Sequence, residues 1–185
     1  MITLKSPREI KEMAVSGAIL AGMHVGLRDI VKPGVSSWEV EKFARKYFKE
    51  HDAIPEQIGF EGYKYATCVS VNDEICHAFP RKNLIFKEGD LVKIDTVVNY
   101  HGAMSDSCWS YVVGKPSPEV ERLMEVTKKA LYLGIDQAQV GNRIGDIGAA
   151  IQHYTEDENG YGDVREFIGH GIGPTMHESP NVPHY

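Results

Sequence analysis

Two stretches about 110 residues apart open in the same way, and that similarity constrains the fold more than any other feature of the chain. Ser6-Pro7-Arg8-Glu9 sets a serine to cap a helix, a proline in the first turn and a glutamate at the capping-box position. Ser117-Pro118-Glu119-Val120 repeats the opening. A helical period continues from each: Ile10, Met13, Ala14, Gly17 and Ala21 in the first, Val120, Leu123, Met124, Thr127, Ala130 and Leu131 in the second. Lys32-Pro33-Gly34 and Gln139-Val140-Gly141 break the two runs, and a further amphipathic helix lies beyond each break. Ser36 and Glu39 start one, through Val40, Phe43, Ala44 and Tyr47; Ile144, Ile147, Ile151 and Tyr154 mark the other, ended by Asn159-Gly160. The pattern predicts a duplicated helix-and-strand unit, 6–113 and 117–185, with chance similarity of two helical hairpins as the alternative. The first copy continues into strands near 66–80, 90–98 and 103–113. The second has only Val164 to His170 and the residues from there to Tyr185, so on this reading it is incomplete by about 60 residues or more.

The last two strands of the first copy carry the chemistry. Asp90 to Val98 and Ala103 to Val113 are β-prone runs separated by Asn99-Tyr100-His101-Gly102, a hairpin pattern. With an even loop and no bulge, Asp95 pairs directly with Asp106. Directly opposed like charges about 5 Å apart are destabilising, and a hard divalent cation held by the carboxylates is what offsets them. A register slipped by one residue instead puts the two carboxylates on opposite faces.

Composition bounds the alternatives. A chain of 185 residues with 42% hydrophobic and 25% charged residues suits an ordinary globular core. Its net charge of −6, without a basic block, argues against nucleic acid as a partner. There is no run of about 20 uninterrupted apolar residues. Met1 to Ser6 has no basic-then-apolar leader, which sets a cytoplasmic location as the expectation. The three cysteines, Cys68, Cys76 and Cys108, lack zinc or redox spacing and read as reduced thiols.

Two further stretches hold candidate groups. In Gly169-His170-Gly171-Ile172-Gly173-Pro174-Thr175-Met176-His177-Glu178, flanking glycines let another backbone or a ligand come close to His170, and His177 can reach a shared cleft after a turn. In Asn72-Asp73-Glu74-Ile75-Cys76-His77-Ala78-Phe79-Pro80, His77 sits on a β-prone run and could orient a carbonyl or move a proton, although a structural histidine is the alternative. Ile58, Phe60, Tyr63, Tyr65 and Cys68 could line a small apolar pocket or simply pack a core. No phosphate loop, nucleophile elbow or His-Glu-x-x-His motif occurs.

Taken together, Cys76-His77-Ala78-Phe79-Pro80, Ile94-Asp95, Ser105-Asp106-Ser107 and Gly169-His170-Gly171-Ile172-Gly173 resemble the type I methionine aminopeptidases of bacteria, and the similarity runs from Met1 to Tyr185. The resemblance implies the α+β pita-bread fold, two helix-and-sheet halves about a pseudo-twofold, with the second half incomplete in this chain. It implies removal of the initiator methionine from nascent chains with a small second residue, beside the ribosome, by a monomer that needs neither nucleic acid nor membrane. It makes Asp95 a ligand of one divalent ion, Asp106 a bridge between two and His170 a ligand of the second. The ions would be Co²⁺, Mn²⁺, Fe²⁺ or Zn²⁺, since oxygen-rich sites with one imidazole suit the first three at least as well as zinc. His77 and His177 would contact substrate, and Phe60, Tyr63 and Cys68 would shape the methionine pocket, Phe60 standing where many relatives carry tyrosine. The family completes its site with two glutamates that no residue of this chain matches, Glu178 included, so the 185 residues alone are expected to be inactive. A proline-type aminopeptidase of the same fold and a non-catalytic peptide-binding protein or inert fragment are the competing readings.

Overall fold

The computed structural model describes residues 2–185. They form two compact units, one of Leu4–Ser117 with Ile172–Met176, the other of Pro118–Gly171 and His177–Tyr185 with Ile2 and Thr3.

In the first unit, helix α1 (Pro7–Leu27) starts at the predicted capping box: the Glu9 amide donates to Ser6 Oγ (3.3 Å), and the Ser6 amide to Glu9 Oε2 (2.6 Å). Its buried face is Ser16, Leu20, Met23, His24 and Leu27, one helical stripe. The expected stripe through Ile10, Met13, Ala14, Gly17 and Ala21 is corrected at two positions: Ile10 is 57% exposed and Ala14 is exposed, while the other three are partly buried. Apolar residues surround much of this helix, which by length and composition alone could cross a membrane, so periodicity could not select the packing face. Helix α2 (Ser37–Glu50) buries Val40, Ala44 and Phe48 against the same core, and with them the charged Glu41.

These helices cover one face of an antiparallel sheet. Strand β3 (Leu91–Tyr100) is its centre, paired with β4 (Ala103–Val112) and with the short β1 (Ile54–Pro55) and β2 (Cys68–Val71). Val69, Val71, Val92, Ile94, Val98, Tyr111 and Val113 join the helix residues in the core, so the opposite face carries the alternate residues. The strand expected over 66–80 is confined to Cys68–Val71. The chain turns at Asn72 (φ +53°), and His77, expected within a strand, lies outside any strand at φ +58°.

The β3–β4 loop is two residues, His101 and Gly102, both at positive φ (+53° and +93°) as a hairpin with right-handed strand twist requires. Asn99 and Tyr100 therefore belong to the strand, and the register moves by two residues: Asp95 faces Cys108 and Asp106 faces Val97. The direct Asp95–Asp106 pairing is corrected to a diagonal one.

In the second unit, α3 (Pro118–Asp136) starts at the predicted proline and packs on α4 (Ile144–Gln152), where a side chain on Gly134 would come within 2.7 Å of Ile151. The last turn of this region, His153–Glu158, widens to a π-helix and stops before Gly160 at φ +70°. Strands β5 (Gly169–Gly171) and β6 (Glu178–Val182) pair antiparallel with an irregularity between His170 and Gly171.

Candidate metal and peptide site

Strand alternation puts Cys68, Asp95, Val97, Asp106 and Cys108 on the face of the sheet that the helices leave uncovered. Although not directly opposed, Asp95 and Asp106 are diagonal neighbours, close enough for a hydrogen bond between their carboxyls. Burial pushes the Asp95 carboxyl well above the usual carboxylate range, and the Asp106 charge beside it adds to the rise; His77 and the Thr96 amide work the other way. The sequence therefore identified the like-charge pair and its shared face, and missed only the register.

The thiol and ring next to this pair are apolar in effect. Cys68 is the Cα partner of Asp95 across β2 and β3, and burial pushes its thiol up to about 11, so it stays protonated. Its Sγ accepts from Gln57 Nε2 (3.5 Å), and Gln57 Oε1 accepts from the Val97 amide (3.0 Å). Tyr63 directs its hydroxyl to the Thr67 carbonyl (2.9 Å), its ring edge-on to Tyr65 and tilted against Phe79, at centroid distances of 5.7 and 5.5 Å. Phe60 opens a single 3₁₀ turn, Phe60–Gly62, and is 43% exposed. Gln57 was not legible as a site residue, since its partners lie 11 and 40 residues away.

In the second unit His170 sits on β5 and His177 immediately before β6, their rings edge to face at 4.4 Å. His170 Nδ1 donates to the Gly171 carbonyl (2.9 Å), which fixes the orientation of the ring. The flanking glycines serve another backbone: a side chain on Gly171 would come within 2.7 Å of the Ser179 carbonyl, and one on Gly169 within 3.1 Å of the Val182 carbonyl. Between the histidines, Ile172 and Met176 belong to the first unit and pack on Val97 and Met104, neighbours of Asp106 on the site face of the sheet.

A pair of carboxylates brought together where burial already opposes the charge of Asp95 is a suitable donor set for a hard divalent cation. Among the described residues no three or more His, Cys, Asp or Glu gather so as to hold a metal ion, so the aspartate pair is what the geometry itself offers.

Comparison with known proteins agrees with this chemistry. Residues 11–185 match the profile of metallopeptidase family M24. Methionine aminopeptidase 1 of Bacillus subtilis is 40% identical over 185 residues, 100% of this chain and 74% of that protein. The crystal structure of a methionine aminopeptidase from Thermotoga maritima superposes with a TM-score of 0.97 at 38% identity, over 100% of this chain and 74% of that one. A methionine aminopeptidase from Streptococci gives 0.92 at 52% identity, over 100% and 75%. An X-Pro aminopeptidase from Thermotoga maritima, at 20% identity and a TM-score of 0.78, shares the fold alone. The expected α+β pita-bread fold is thus shown, and the chain belongs to metallopeptidase family M24.

Proposed function

We propose that this protein is the metal-dependent aminopeptidase that removes the initiator methionine from nascent chains with a small second residue. The observation that carries the reading is the Asp95–Asp106 pair, two carboxylates of like charge on one sheet face in a chain 40% identical to a methionine aminopeptidase over its whole length. Asp95, Asp106 and His170 are the residues that would hold two divalent cations, Co²⁺, Mn²⁺, Fe²⁺ or Zn²⁺. When bound, the cations supply a water acidic enough to ionise near neutral pH and a Lewis acid for the scissile carbonyl. The seating of Ile172 and Met176 on Val97 and Met104 supports bringing the segment between the two histidines to this face.

The remaining roles belong to the chain itself. Phe60, Tyr63 and Cys68 receive the methionine side chain: the Tyr63 hydroxyl is already engaged by Thr67, and the Cys68 thiol is neutral, so both present apolar surface to a thioether. His77, at positive φ and in electrostatic contact with Asp95, and His177, its ring against that of His170, would contact the peptide backbone. The setting would be cytoplasmic, beside the ribosome, with the protein a monomer. The copies 6–113 and 117–185 are read as duplicated halves of one metallopeptidase domain.

Methionine release from Met-Ala-Ser with added Mn²⁺ or Co²⁺ tests the reading. Protein that carries the family's two further glutamates should release methionine, and Asp106→Asn in it should abolish turnover. Residues 1–185 alone, with three of five ligands, should release none. A complete protein that is inactive would favour the peptide-binding alternative.

A further inference from the structure

Among the described residues Glu41 is the only acidic side chain in the buried set, at 0% exposure, and it does not belong to the aspartate pair. It reaches from α2 to the segment before β2. Its Oε1 accepts from the Ala66 amide (2.8 Å) and Arg45 Nε (2.6 Å); its Oε2 accepts from the Thr67 amide (3.0 Å) and the Thr67 hydroxyl (2.7 Å). Arg45 extends the grip by donating from Nη2 to the Lys64 carbonyl (2.8 Å). Thr96 Oγ1 donates to the Ala66 carbonyl (2.6 Å) from the β3 position next to Asp95, and Tyr63 donates to the Thr67 carbonyl. The backbone of 64–67 is thereby held on all sides, and the residues that bound it are Tyr63 and Cys68.

We propose that Glu41, with Arg45 as its outer brace, is the positioning residue of the methionine pocket: it fixes Lys64–Thr67 and through them sets Tyr63 and Cys68. This rests on the reading of Phe60, Tyr63 and Cys68 as that pocket. The charge is required because all four groups aimed at Glu41 are donors. A carboxylate satisfies them all, whereas an amide in its place turns an NH₂ group toward two of them and leaves buried donors unpaired. Aspartate keeps the charge but is one methylene shorter and cannot reach both amides from α2.

Titration of L-methionine into ¹⁵N-labelled protein, followed at the Cys68 and Thr67 amides, tests the proposal. In Glu41→Gln the dissociation constant should rise about tenfold, as expected for lost charge-assisted hydrogen bonds, and the Ala66 and Thr67 amides should exchange faster. Glu41→Asp should recover part of the affinity. Val40→Ala, in the same turn of α2, should lower the melting temperature and leave methionine affinity at the wild-type value. Wild-type affinity in Glu41→Gln, or an equal loss in Val40→Ala, would overturn the proposal while leaving the pocket reading intact. If Glu41→Gln does not fold, Arg45→Met, which removes the Lys64 anchor from a half-exposed position, should weaken binding by about threefold; unchanged affinity there overturns the proposal equally. Failure of the wild-type protein to bind methionine would overturn the pocket reading itself and the proposal with it.

Discussion

The Asp106 charge opposes ionisation of Asp95, which burial already disfavours, an arrangement that costs stability until a cation neutralises it. Asp106→Asn in metal-free protein should therefore raise the melting temperature, by a gain of about 1 kcal/mol, while the same change weakens cation binding. A lower melting temperature would show that the pair is not in repulsion. His24 makes the complementary case, a fully buried imidazole stacked on Trp109 at 4.9 Å, its Nδ1 2.8 Å from the Tyr111 hydroxyl and its Nε2 3.3 Å from the Ser107 carbonyl. Burial holds its pKa down at about 4. Because the unfolded chain takes up this proton near pH 6.5 and the folded chain does not, the stability His24 contributes is complete above that pH and is lost as pH falls toward 4. The loss should reach about 3 kcal/mol in urea titrations, and should be missing from the pH dependence of His24→Gln. The sequence showed the aspartate pair because hairpin alternation is local. Glu41, Gln57 and His24 were not legible, since each depends on partners 11 to 87 residues away (for Glu41, Ala66 and Thr67) and reads, by itself, as an ordinary surface residue.

At the scale of elements, what could be read from the chain was whatever a few adjacent residues decide. The Ser6–Glu9 capping box and the Pro118 start are of this kind, and so is the existence of the β3–β4 hairpin. The hairpin's register was not, because two more residues could pair once His101 and Gly102 took left-handed conformations. The burial face of α1 was also out of reach, since an alanine- and glycine-rich helix offers apolar surface in several directions and the sheet chooses among them. The strand reading of 66–80 failed where Asn72 and His77 adopt positive φ, a choice made by local side-chain and tertiary contacts over β-propensity. The turn itself gives a direct test: Gly102→Ala, at φ +93° with open space around it, should lower stability by about 1 kcal/mol through backbone strain alone, read from the thermal midpoint. An unchanged midpoint would mean that the turn can switch type without loss.

For the molecule as a whole, family membership and fold rest on similarity along the entire chain, while the proposed metal centre rests on three residues. Its central claim is that Asp95, Asp106 and His170 hold divalent cations in common. Counting free Mn²⁺ by electron paramagnetic resonance during titration of the protein tests that claim most directly, with Asp106→Asn and His170→Ala titrated alongside. Wild-type protein should withdraw Mn²⁺ from solution, and each variant should bind at least about tenfold more weakly, as expected for losing one ligand of a small set. Equal Mn²⁺ uptake by wild type and both variants would contradict the account.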